Sequence, residues 1–392
     1  MKDFVFDGGV RVIYGADQLS LVAKELAKLG KRLLVVSTGS FLADGHYEAL
    51  ERSLTETGLA VHLLRAGKKP LLSKANEGVQ LCAEKDIEVV LGIGGVSMDL
   101  AKAIAFGARN NEVPMEKYLT YEVSTEGLSM LPVVTIPTNP MSGSETNADV
   151  QLTLDESGLQ VGCGVGKAVF TWLNPEYVMS LPDNILAYEQ MTAFVQVSIN
   201  YLNLTRSPLA EHYAEASMKT TVECLRRNLA GKNDVDARGT LLLNSALALS
   251  GINDLGSEGE FAPYPLQSFA QRYLGLDYPR ALTGLFPYWL KDIYRASADK
   301  AIFRRYFGEI LGVSADGKDD EALLQAGLSA LKALYQEFGI AFTYGELAED
   351  PKDHEKLAAI IDSFGPMPCR ILPLTTECMA KMIEDAIAGK LD

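Results

Sequence analysis

The chain predicts a two-part fold: an α/β Rossmann-like N-terminal domain over residues 1–182, then an all-helical domain over residues 183–392. Three observations carry this prediction. A length of 392 residues exceeds what one ordinary hydrophobic core spans. Before Pro182, β-branched apolar runs alternate with helical patterns, which is the signature of a parallel sheet covered by helices. Beyond Pro182 strand signals almost vanish and long helical patterns take over.

The strands come first. "KRLLVVSTG" (31–39), "AVHLLRAG" (60–67), "IEVVLGIGG" (87–95) and "LPVVTIPT" (131–138) are nearly continuous apolar runs, as strands buried on both faces are. Between them "QLSLVAKELAKLG", "HYEALERSLTETG" and "SKANEGVQLCAEK" place apolar residues three and four apart, with a glycine at two of the ends. The order is βαβαβ, hence a parallel sheet. Residues 148–173 read as a β-hairpin with its turn at Asp155–Gly158. Its alternate glycines Gly162, Gly164 and Gly166 fit either a backbone surface approached by a ligand or a flexible arm. Pro182 followed by Asp183 reads as a helix start with an aspartate cap. "AEHYAEASMKTTVECLRRNLA" and "TLLLNSALALSGI" are the clearest helices of the second part.

Composition excludes several classes. With 47% apolar and 22% charged residues the chain has the balance of a folded soluble protein. No apolar run approaches the roughly 20 residues a membrane helix needs, and "MKDFVFDGG" has no apolar signal core, so a cytoplasmic location is expected. A formal charge of −15 argues against nucleic acid, whose phosphates need a basic footprint. The five cysteines (Cys82, Cys163, Cys224, Cys369, Cys378) are scattered and never spaced as CxxC, so they read as reduced packing residues. The four histidines, His46, His62, His212 and His354, are isolated from one another in sequence.

Three segments carry phosphate-binding signals. "VVLGIGGVSMDLAKAIA" puts Gly92, Gly94 and Gly95 at a strand end and opens a helix with Val96, Ser97 and Asp99, aiming backbone N–H groups and a positive helix end at an anion. It does not match GxGxxG. The first strand ends in Thr38, Gly39 and Ser40, small neutral groups where a carboxylate would accept from a ribose 2′-hydroxyl and repel a 2′-phosphate. If a dinucleotide binds, NADPH is therefore favoured over NADH. "IPTNPMSGSETNADV" follows another strand with Thr138, Asn139, Ser142 and Ser144, groups suited either to a cofactor or to capping a helix.

Together these segments, with "VRVIYGADQL", "LNPEYVMSLP" and "GLDYPRALTGLFP", resemble the iron-type (group III) alcohol dehydrogenases, most closely the butanol dehydrogenase and NADPH-dependent aldehyde reductase branch. The resemblance extends over nearly the whole chain. It implies the dehydroquinate synthase-like fold, an NAD(P) cofactor, a site in the cleft between the domains, small alcohol or carbonyl substrates and a homodimer or larger assembly. It also implies a divalent metal held by an aspartate, a histidine one helical turn later and two further histidines. Carried over residue by residue, the first pair falls on Thr192 and Gln196 and the later histidines on Tyr264 and Tyr278, with a further active-site histidine on Ser268. Hydroxyl, amide and neutral phenol groups offer a divalent cation no anionic or imidazole ligand, so no metal is expected.

Two functions follow. The first is a metal-free oxidoreductase in which NADPH, or NADH, delivers hydride to a carbonyl and Tyr264 or Tyr278 replaces the metal as electrophile. The second is a non-catalytic relative acting as a scaffold or partner protein, or an enzyme with a changed reaction. The predicted cofactor residues are Gly39, Ser40, Gly94, Gly95, Val96, Ser97, Asp99, Thr138, Asn139, Ser142 and Ser144; Thr192, Gln196 and Ser268 are assigned to the substrate pocket.

Overall fold

The computed structural model of the chain describes every residue except Val5, Asp44, Ser142, Leu204, Arg206, Lys232, Asn233, 258–261, 348–370, Pro373 and Asp392, and the side chains of Ser40 and Ala43. His354 and Cys369 therefore lie outside the described residues. The strands are β1 (Arg11–Tyr14), β2 (Arg32–Ser37), β3 (Ala60–Arg65), β4 (Val89–Ile93), β5 (Val133–Ile136), β6 (Asp149–Thr153), β7 (Gln160–Gly164) and β8 (Phe170–Leu173). Helices α1 (Leu19–Leu29), α2 (Gly39–Ala43), α3 (His46–Glu56), α4 (Leu72–Glu84), α5 (Val96–Gly107) and α6 (Met115–Leu119) accompany them. The remaining helices are α7 (Asp183–Tyr201), α8 (Pro208–Ala230), α9 (Val235–Ala248), α10 (Pro263–Tyr273), α11 (Tyr278–Ala296), α12 (Ala301–Glu309), α13 (Asp320–Glu337) and α14 (Thr376–Ala388).

Two compact units result, one of residues 7–181 with 231–250, the other of residues 1–6, 182–230 and 251–392. The first is built on a six-stranded parallel sheet in the order β1-β8-β5-β4-β2-β3. Alternation along β2 separates its two faces. Leu33 and Val35 pack with Val22 and Leu26 of α1 and Leu50 and Leu54 of α3. Leu34 and Val36 pack with Ala75 of α4 and Leu100 and Ile104 of α5. Burial on both faces is why these strands read as continuous apolar runs. Cys82 of α4 belongs to this packing, and burial pushes its thiol up to about 12.

The segment 148–173 differs from the expected hairpin. Only β6 and β7 pair antiparallel, around a turn in which Gly158 N–H donates to Leu154 O at 2.8 Å. Phe170–Leu173 instead inserts into the main sheet as β8, parallel to both β1 and β5. The spacing of the glycines has a local cause at Gly162, where a Cβ would lie 2.3 Å from Val150 O on the paired strand. Neither a ligand nor flexibility is needed to explain that position.

The units depart from a single cut after residue 182 at residues 1–6, which group with the helical unit, and at one helix, which groups with the α/β unit. Leu242 and Ala246 of α9 pack on Leu173 and Val178 of the α/β unit. Arg238, 3% exposed, donates from one guanidinium nitrogen to Val178 O, Met179 O and Leu181 O at 2.9, 3.2 and 2.8 Å. In the helical unit, α7 is buried almost all round. Its first residue corrects the expected cap: Pro182 precedes the helix without a side-chain cap, and the Asp183 carboxylate accepts from Asn228 Nδ2 of α8 at 2.9 Å. No helix among the described residues is long and apolar enough to cross a membrane.

Candidate functional site

β3 and β4 flank β2 on opposite sides, so the chain reverses its direction of strand addition at β2 and β4. In such sheets a crevice opens at the carboxyl ends of the strands where this reversal occurs. Thr38 follows β2 directly by way of Ser37, Gly94 follows β4, and Thr138 lies two residues past β5. All three therefore stand at one sheet edge. Gly94 has φ +117°, a backbone few side chains adopt. A Cβ placed on it would lie 3.5 Å from Ser97 Oγ, 3.5 Å from Thr38 Oγ1 and 3.7 Å from Thr138 Oγ1. Three hydroxyls thus ring a bare backbone, an arrangement suited to an anionic oxygen.

Ser97 is fully buried in the first turn of α5, and its hydroxyl has no hydrogen-bond partner. An orphaned hydroxyl beside a helix N-terminus that no side chain caps suits a phosphate oxygen. Gly95 precedes the helix, and a Cβ there would meet the Asn139 amide at 2.6 Å, so Gly95 and Asn139 are brought together too. Val96 is the first helical residue and half-buried. Gly39 opens the short helix α2, where Ser40 follows it. Ser142 lies outside the described residues.

Asp99 and Ser144 do not cap or open the loop as free groups. The Ser144 hydroxyl donates to Asp99 Oδ1, and Gln151 N–H donates to Asp99 Oδ2 at 3.2 Å. Two further residues, which sequence reasoning left without a role, complete this cluster. Lys102, fully buried, donates to Asn147 O, Asn147 Oδ1 and Asp149 O at 3.3, 3.2 and 2.5 Å. Glu145 is 1% exposed. A lysine inside the apolar run "LAKAIAF" was the signal that could have found the cluster.

In the helical unit Gln196 and Tyr278 meet. Gln196 Nε2 donates to the Tyr278 hydroxyl at 3.0 Å, across 82 residues of sequence. Thr192, one turn earlier on α7, is fully buried and donates its hydroxyl back to Tyr188 O at 2.7 Å. Ser268 likewise turns back to Tyr264 O at 3.3 Å, one turn away on α10. Gln267 Nε2 donates to that same carbonyl at 2.9 Å. Helix α11, which begins at Tyr278, packs against both α7 and α10.

These donors do not fit a divalent metal. Thr192 is committed to its own helix, Gln196 is a neutral amide bonded to a phenol, and Tyr264 and Tyr278 bring phenols in place of imidazole, thiolate or carboxylate ligands. Among the described residues no three histidine, cysteine, aspartate or glutamate side chains gather as a metal-holding group.

Comparison with known proteins gives four matches. Residues 9–171 match the family described as iron-containing alcohol dehydrogenase. A probable NADH-dependent butanol dehydrogenase of Bacillus subtilis is 28% identical over 92% of this chain and 92% of its own. An NADPH-dependent aldehyde reductase of Escherichia coli is 22% identical over 87% and 88%. Among solved structures, an NADH-dependent butanol dehydrogenase A of Thermotoga maritima superposes with a TM-score of 0.90 at 23% identity, covering 98% of this chain and 99% of that one. That likeness fixes the fold.

Proposed function

We propose that this chain, whose residues 9–171 match the iron-containing alcohol dehydrogenase family, is an NAD(P)H-dependent oxidoreductase that interconverts a small carbonyl compound and its alcohol without a catalytic metal. The observation that carries this reading is the Gln196–Tyr278 hydrogen bond, which stands where the family resemblance implies a metal and its ligands. The cradle around Gly94 supports a dinucleotide: its hydroxyls and the N-terminus of α5 suit the diphosphate. Thr38 and Gly39 at the end of β2 bring no carboxylate against a 2′-phosphate, which favours NADPH.

A bound reduced nicotinamide would supply hydride to the carbonyl carbon, and the Tyr278 phenol would give the carbonyl oxygen its proton, directly or relayed from water. Gln196 orients the phenol, and Tyr264 lines the same pocket. A phenol supplies one hydrogen bond where a metal supplies a full Lewis acid, a loss of several kcal/mol. Activated carbonyls, such as α-dicarbonyls, are therefore the expected substrates. Chelator-treated protein should oxidise NADPH in their presence at a rate unchanged by added Fe²⁺ or Zn²⁺. A rate that appears only with metal overturns the proposal, and no turnover with any carbonyl favours a non-catalytic relative.

A further inference from the structure

The loop after β5 carries a buried charge cluster whose signs do not balance. One ammonium, Lys102, faces Asp99 and the buried Glu145, with Asp149 exposed at its far side. Lys102 is satisfied by its bonds to Asn147 and Asp149 O, and Asp99 by Ser144 and Gln151. Glu145 differs, because neither of its carboxyl oxygens has a hydrogen-bond partner in another residue although the residue is 1% exposed. An ionised carboxylate so poorly supplied with donors is costly in such a place, so burial holds Glu145 toward its neutral form.

The groups facing Glu145 are Lys102 and Asp99 of α5. Asp149, at the start of β6, competes for Lys102. Helix α9 meets the same loop through Ala246 O, which accepts from Thr146 Oγ1 at 2.6 Å, and through Leu249 against Gly143; neither is charged. Burial pushes the Glu145 carboxyl up to about 7, against the pull of its own backbone N–H and of Lys102.

We propose, on the strength of the dinucleotide reading above, that Glu145 is a positioning residue whose proton sets how tightly the Gly94 cradle holds the cofactor's phosphates. Glu145 is the chain neighbour of Ser144, which is tied to Asp99 in the first turn of α5, two residues from Ser97. Ionised Glu145 draws on Lys102 in competition with Asp99, loosens that tie, and adds a negative charge behind an anion site. Neutral Glu145 does neither.

The test is NADPH binding by fluorescence at pH 6 and pH 8, in the natural protein and in Glu145→Gln. For one proton lost near pH 7, the natural protein should bind about tenfold more weakly at pH 8, and the variant should lose that dependence. Thermal unfolding without cofactor gives a second readout. A carboxyl that keeps its proton to about 7 when folded, but to only about 4.3 when unfolded, contributes stability that is lost as pH rises through 7. The natural protein should therefore fall in Tm relative to Glu145→Gln between pH 5 and 8. Equal pH slopes of binding in both proteins overturn the proposal, as does a Tm difference that ignores pH. NADPH binding by neither protein at either pH strikes the dinucleotide reading itself and takes the proposal with it.

Discussion

At Tyr278 a phenol oxygen accepts an amide N–H at 3.0 Å, which holds the ring in one orientation and draws electron density from its O–H. If that hydroxyl acts on the carbonyl oxygen, Tyr278→Phe should lower kcat/KM by about 10²-fold or more with little change in Tm. Gln196→Met should act in the same direction but less, since it removes only the orienting bond. Steady-state kinetics beside thermal unfolding separates these effects from misfolding. Gly94→Ala tests the other unit: with φ +117° a side chain costs about 1–3 kcal/mol, and a Cβ would occupy the space between the three hydroxyls. NADPH binding measured calorimetrically should weaken at least tenfold. Gly94, Ser97 and Thr138 were legible in the sequence because each directly follows an apolar strand or opens a helix. Glu145 and Lys102 were not, because the bond from Lys102 to Asn147 spans 45 residues and only the folded chain unites them.

At the scale of elements, the strands were legible wherever burial on both faces made them continuous, as in β2 and β4. β8 was not, for its four residues follow a glycine-rich hairpin strand and merge with it in the sequence. Helix α9 was readable as a helix but not as part of the α/β unit, since its periodicity says nothing of the surface it covers. Arg238 ties it there, so Arg238→Met should cost about 2–4 kcal/mol in urea unfolding by leaving the carbonyls of residues 178, 179 and 181 without their donor. In the helical unit α11 and α14 are joined by Lys291, 2% exposed, which donates to Asp385 Oδ2 at 2.9 Å. Burial alone would raise the Asp385 carboxyl, but its bonds to Lys291 and Lys381 outweigh burial and hold it below its ordinary range. A lowered carboxyl contributes stability that is present above its unfolded pKa and lost as pH falls through the folded one. Asp385→Asn should therefore cost about 3 kcal/mol at pH 7 and progressively less toward pH 3, checked by denaturant titration across pH.

For the whole molecule, a two-part fold was legible from length and from the change of pattern near Pro182, whereas the return of residues 231–250 to the α/β unit was not. A fragment of residues 7–181 leaves Leu173 and Val178 uncovered, and should bind a hydrophobic dye more strongly than the full chain. The proposed function requires nicotinamide binding without a bound catalytic metal. Calorimetric titration of the chelator-treated full chain with NADPH, beside elemental analysis of untreated protein, tests it most directly. NADPH should bind saturably, and the untreated protein should carry no stoichiometric iron or zinc. Stoichiometric metal in the untreated protein, or no binding of NADPH or NADH, would contradict it.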